Sequence, residues 1–170
     1  MSLITEEYRQ MQADLHQNPN YGVSSTIFAP IVDLVIQDHQ IKELLDYGAG
    51  KCRLRDSLTQ YVKYYPYEPS NPDMSDIPEP RELVCCIDVL EHIEPECLDD
   101  VLDDLERLTL KYGLFTIHTG PAQKILPDGR NAHLIQEPWE WWKDKLDKRF
   151  KIVRSLVIDN GIIVLVKHKD

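Results

Sequence analysis

Apolar positions along this chain fall into short continuous runs and longer stretches with a three-to-four-residue repeat, and the two kinds alternate. Runs at 42–46, 61–67, 83–87, 113–118, 150–158 and 162–168 are bounded by glycine, proline or acidic residues, as buried strands are. Between them lie helical spacings. The first 40 residues hold two, separated by the loop-like Gln17-Asn18-Pro19-Asn20-Tyr21-Gly22. In the second, Ser24 or Ser25 is placed to cap a helix whose apolar face takes in Ile27, Ile31, Leu34 and Val35. A crossover helix is expected from Arg53 to Gln60. Leu98, Val101, Leu102, Leu105 and Leu108 form the apolar stripe of another, with Asp99, Asp100, Asp103, Asp104 and Glu106 as its solvated faces. A tryptophan-rich helix is expected from Pro138 to Arg149.

Two breaks in this rhythm refine the fold. Residues 69–82 contain Pro69, Pro72, Pro78 and Pro80, a density that forbids a regular helix. Fourteen extended residues still reach about 45 Å, enough to start another parallel strand. The crossover helix after the second strand is therefore expected to be missing, with at most a stub of strand at the sheet edge. Near the end, Asp159-Asn160-Gly161 between two apolar runs signals a hairpin. The expectation is an α/β chain: a Rossmann-like three-layer sandwich, its mostly parallel sheet ending in an antiparallel hairpin. One domain, 1–170, suffices, with a helical cap over 1–40 and an α/β core over 41–170.

Composition narrows the partners. With 19 basic against 29 acidic side chains the formal charge is −10, which disfavours a nucleic-acid partner. No apolar run approaches the roughly 20 residues of a bilayer span. Met1-Ser2-Leu3-Ile4-Thr5-Glu6-Glu7 does not read as a secretory signal. Cys85 and Cys86 are adjacent in a strand run and so point to opposite faces. With Cys52 and Cys97 they read as small buried side chains, and a cytoplasmic location is expected.

The chemistry concentrates at strand ends, where open α/β sheets bind ligands. The first strand ends Asp46-Tyr47-Gly48-Ala49-Gly50, a turn that lets backbone approach a nucleotide-bearing cofactor. That leaves a dinucleotide or S-adenosylmethionine (SAM). A dinucleotide fingerprint asks for a third glycine where Arg53 stands, and Asp46 would sit badly beside a pyrophosphate. The same carboxylate suits an ammonium or sulfonium. Glu68 follows Gly50 by eighteen residues, a spacing at which an acid meets a ribose diol.

Leu45-Asp46-Tyr47-Gly48-Ala49-Gly50-Lys51 resembles the first motif of class I SAM-dependent methyltransferases. Glu68-Pro69-Ser70 resembles their acidic second-strand motif. Asp88-Val89-Leu90-Glu91-His92-Ile93 is similar to a segment of the small-molecule branch of that superfamily. The resemblance spans about residues 40–168 and implies SAM as cofactor. It places the Gly48–Gly50 turn under the cofactor, Glu68 with Pro69 at the ribose, and Asp88, Val89 and Leu90 beside the adenosine and methionine. Departures are Cys52 at the third glycine and the missing crossover helix, which leaves Asp76 as the nearest adenine-side acid. Around Leu126–His133 the wording resembles uncharacterised methyltransferase-like proteins of phages and bacteria.

A small-molecule acceptor is expected above the strand ends, between the N-terminal segment and the long 119–149 connection. His118 and His133 are the candidate general bases there. Tyr21, Arg130, Asn131 and Trp139 are candidate substrate contacts, Tyr21-Gly22 as a lid. His92, His118 and His133 show no metal-ligand spacing, and no metal is expected. The competing readings are a SAM-binding or S-adenosylhomocysteine (SAH)-binding module without transfer and, further off, an NAD-dependent oxidoreductase.

Overall fold

The computed structural model describes residues 1–169. Helices α1 (Glu6–Leu15) and α2 (Ser24–His39) precede a single sheet. Its strands are β1 (Glu43–Tyr47), β2 (Lys63–Tyr67), β3 (Arg81–Ile87), β4 (Thr109–His118), β5 (Phe150–Ile158) and β6 (Gly161–His168). They are interleaved with α3 (Arg53–Ser57), α4 (Leu98–Leu108) and α5 (Trp139–Asp147). The strand order is β2-β1-β3-β4-β6-β5. The first four strands are mutually parallel, and β6 runs antiparallel to both β4 and β5. Strand order reverses between β1 and β3, so the crevice beyond their carboxyl ends is the topological switch point.

The alternation of side chains puts a core on each face of the sheet. Leu44, Leu83, Cys85, Ile87 and Leu114 pack with α2 and α3. Leu45, Val84, Cys86, Phe115 and Ile117 pack with α4 and α5, around the fully buried Trp142. Cys85 and Cys86 thus divide between the faces, and all four cysteines are free and buried. A third cluster joins Tyr8, Leu126 and Ala132, which seats α1 on the connection after β4. No helix among the described residues is long and apolar enough to cross a membrane.

The proline-rich segment carries only a 3-10 turn, Pro72–Met74, so the crossover helix after β2 is absent as expected. Among the described residues no strand stub forms there, and β2 is the sheet edge.

Other expectations needed correction. α3 stops at Ser57 because the Asp33 carboxylate accepts hydrogen bonds from the Thr59 and Gln60 amides and draws the chain off the helix. In α2 the buried face is Ala29, Val32, Val35 and Ile36, while Ile27 and Leu34 are 70% and 56% exposed. The apolar residues surround that helix, so periodicity alone could not choose the face. Its N-cap is Val23 and no serine caps it. On α4, Asp104 is buried and not solvated: it accepts the Tyr47 hydroxyl at 2.9 Å and the Arg107 guanidinium at 2.8 Å. In the hairpin, Asp159 carries the bend at φ +50° and Gly161 is already the first residue of β6.

Candidate functional site

β1 leaves the sheet through three left-handed residues, Gly48 at φ +82°, Gly50 at +55° and Cys52 at +58°. A Cβ on Gly48 would stand 2.5 Å from Val89 Cγ2, so glycine is required by the close approach of the segment after β3. Cys52 takes up the backbone of the missing third glycine. The Gly48 and Ala49 amides both donate to the Tyr67 carbonyl, and the Gly50 amide donates to Glu68 Oε1 at 2.9 Å. Three N–H groups that would cradle a pyrophosphate are therefore spent on the end of β2. Glu68 Oε2 accepts the Ser70 amide at 3.1 Å and its hydroxyl at 2.8 Å. Each carboxylate oxygen offers two lone pairs, so Oε2 is filled by Ser70 and one acceptor site remains on Oε1.

Beyond this turn lies a cavity of about 570 Å³, within the range of small-ligand pockets. Tyr47, Gly48, Ala49, Gly50, Glu68 and Pro69 are among its lining residues. Asp88, Val89, Glu91, His92, His118 and His133 line it as well. Asp88 has φ +51°; its amide and carboxylate both bond to the Thr116 hydroxyl, tying the end of β3 to β4. Three buried polar atoms of lining residues have no partner in the protein: Gln12 Nε2, His16 Nδ1 and Glu91 Oε1. Such atoms are costly unless a ligand, ion or water satisfies them.

The histidines are held in defined tautomers. His92 Nδ1 lies 2.9 Å from the Ala132 carbonyl and His133 Nδ1 2.7 Å from the Gly120 carbonyl. A carbonyl only accepts, so both Nδ1 atoms carry the proton and each Nε2 keeps its lone pair. The His133 ring stands 4.8 Å from both the His92 and the His118 rings. Burial pushes His92 down to about 4 and lowers His133 as well, so both are neutral at pH 7. Glu91 Oε2 accepts the His118 amide at 3.0 Å, and burial raises this carboxyl well above its ordinary value. Ligand atoms of Glu91, His92 and His133 all lie within 4.8 Å of one another.

The N-terminal helices close the cavity from above. The Tyr8 hydroxyl donates to the His92 carbonyl, and Thr5 bonds through its amide and hydroxyl to Glu94. Lys51 Nζ donates to the Tyr21 carbonyl and Arg53 to the Pro19 carbonyl, both at 2.6 Å. Arg53, whose bulk argued against a dinucleotide, thus pins the loop carrying Tyr21 over the glycine turn. Tyr21 and Gly22 both line the cavity.

Several sequence-expected residues lie elsewhere. Asp46 is fully buried off the cavity and accepts the Tyr64 hydroxyl; burial pushes its carboxyl up to about 7. Leu90 is sealed in the core. Asn131 braces its own loop through Ala122 and His133, Arg130 pairs with Asp128, and Trp139 packs against the core; none lines the cavity. Asp76 sits exposed on the proline-rich strap. The residues missed are Tyr8, Gln12, His16, Glu91 and His92. Glu91-His92 was legible as an acid beside an imidazole in an otherwise apolar stretch. His16 carried no signal, because α1 reaches the turn only through tertiary packing.

No protein-family model matches the sequence, and no curated protein aligns with it significantly. Solved structures do match in fold. The Burkholderia thailandensis 1,6-didemethyltoxoflavin-N1-methyltransferase, with bound 1,6-didemethyltoxoflavin and SAH, superposes with a TM-score of 0.69 at 15% identity, covering 100% of this chain and 92% of that one. The magnesium protoporphyrin IX methyltransferase of Synechocystis PCC 6803, with bound SAM, gives 0.63 at 16% identity over 86% and 81%. An rRNA methylase from Escherichia coli gives 0.60 at 14% over 98% and 78%. The chain therefore has the Rossmann-like fold seen in SAM-dependent methyltransferases of diverse acceptors.

Proposed function

We propose that this protein is a SAM-dependent methyltransferase acting on a small molecule by direct transfer. The observation that carries the reading is the single cavity joining the Gly48–Gly50 turn and Glu68 to the His118–His133 cluster. The lone pair left on Glu68 Oε1 suits one ribose hydroxyl. Tyr47, Ala49, Pro69, Asp88 and Val89 supply walls for the remainder of the nucleoside. The spent turn amides weigh against a dinucleotide, and the fold neighbours crystallised with SAM or SAH weigh in favour.

Bound SAM supplies an electrophilic methyl on a sulfonium. The task of the chain is then to hold an acceptor in line and dry beside it. His118 and neutral His133 are the groups in reach to take a proton, His133 through Nε2. Tyr21 and the α1 residues Tyr8 and Gln12 line the cavity and are placed to shield the reacting groups from water. A net charge of −10 favours a small acceptor over a polynucleotide.

Calorimetry with SAM, SAH and NAD tests the cofactor. Saturable heat with SAM and SAH and none with NAD is expected; heat with NAD alone would sink the assignment. The missing crossover helix after β2 leaves the adenine side to a strap, which favours one further reading, a binding module without transfer. Methyl-group loss from bound SAM on incubation with pooled small metabolites separates the two.

A further inference from the structure

We infer that Glu91, His92 and His133 form a binding site for one divalent transition-metal ion at the acceptor end of the cavity. The donor set is two neutral imidazoles and one carboxylate, which suits a borderline ion such as zinc, cobalt(II), manganese or iron(II). Both imidazoles are already turned for the task. Their Nδ1–H groups are anchored on the Ala132 and Gly120 carbonyls, at 2.9 and 2.7 Å, and their Nε2 lone pairs are free. This anchoring of the second nitrogen is the arrangement found behind metal-ligating histidines.

Glu91 supplies the independent observation. It is completely buried, one oxygen accepts the His118 amide, and the other has no partner at all. No ion pair to Glu91 exists among the described residues. A bound cation satisfies the vacant carboxyl oxygen and both imidazole lone pairs at once. The donor atoms lie within 4.8 Å of one another. Tetrahedral ligands at about 2.1 Å from a shared ion lie about 3.4 Å apart, so the site closes by roughly 1 to 1.5 Å through side-chain rotation.

With three protein donors the ion keeps open positions toward the cavity, as catalytic rather than structural sites do. Resting on the methyltransferase reading, these positions define the acceptor class: a small molecule with a hydroxyl or enolic oxygen. The ion lowers the pKa of that oxygen, whose proton passes to the remaining imidazole, His118. The oxygen lone pair then forms the C–O bond as the C–S bond breaks and its electron pair returns to sulfur. His133 is thereby a ligand, and His118 alone is left as base.

Tag-free, chelator-stripped protein titrated with cobalt(II) is expected to bind one equivalent, with d–d absorption that zinc abolishes. His92→Asn and His133→Asn keep a side-chain N–H toward each carbonyl but delete Nε2; Glu91→Gln keeps an acceptor for the His118 amide but removes the charge. Each is expected to weaken cobalt binding at least tenfold. Circular dichroism identifies any variant that fails to fold, and the half-buried His133 position keeps the test available if Glu91→Gln does. No cobalt binding by the parent, or equal binding by folded His133→Asn, overturns the site. SAM calorimetry on the same samples separates the two claims: SAM binding without cobalt sinks the metal site alone, and cobalt without SAM sinks the cofactor reading.

Discussion

Gly48 shows how one missing carbon shapes the site. Its φ of +82° and the 2.5 Å approach of Val89 to any added Cβ both exclude a side chain. Gly48→Ala is expected to cost about 1–2 kcal/mol for the left-handed backbone and about 1–3 kcal/mol for the overlap. Urea denaturation checks this. Adding Val89→Ala should relieve the overlap but not the backbone part, so a cycle with no coupling would contradict the contact. Asp46 is a second residue with a readable consequence. Its carboxyl is held near 7 by burial, above an ordinary 3.8. Folding therefore favours its neutral form, and that stability is fully present below about pH 4 and is lost as pH rises towards 7. Asp46→Asn, measured by urea denaturation from pH 4 to 8, should gain on the parent by roughly 2–4 kcal/mol across that window. A difference independent of pH would refute the buried neutral acid. The sequence could place Asp46 at a strand end, yet it could not say which face of β1 the side chain takes. That choice, set by register, moved it from the expected sulfonium to Tyr64.

Among the elements, the shortened α3 and the strap after β2 define the adenine side. Asp33 on α2 accepts from the Thr59 amide and hydroxyl and the Gln60 amide, which fixes where α3 stops. These bonds hold its carboxyl below the usual value. Asp33→Ala is expected to lose about 1–3 kcal/mol near neutral pH. The loss should shrink as pH falls through the carboxylate range, because a depressed pKa contributes only where the group is ionised. Urea denaturation at pH 7 and pH 3.5 reads both, and an equal loss at the two would contradict the role. Strands, the α4 stripe and the terminal hairpin were legible because period and turn chemistry are local. The absent crossover helix was legible for the same reason, from its prolines. The burial of Asp104 was not, since it depends on Tyr47 reaching across from another element.

For the whole molecule, the decisive feature is that residues distant in sequence converge on one cavity at the switch point. The glycine turn, Glu68 and Asp88 could be read from three strand ends. The closing of the cavity by α1, with His16 and Gln12 aimed into it, could not, because no local pattern says where a cap will dock. A net charge of −10 predicts that an RNA oligonucleotide will not bind at 150 mM salt by fluorescence anisotropy; tight binding with a steep salt dependence would point to a polynucleotide acceptor instead. The most direct measurement is a crystal structure of the protein with SAH. The expected density has a ribose hydroxyl on Glu68, the nucleoside against Pro69 and Val89, and the sulfur facing open space toward His118 and His133. SAH bound elsewhere, or its sulfur sealed from the histidines by packed side chains, would contradict methyl transfer in this cavity.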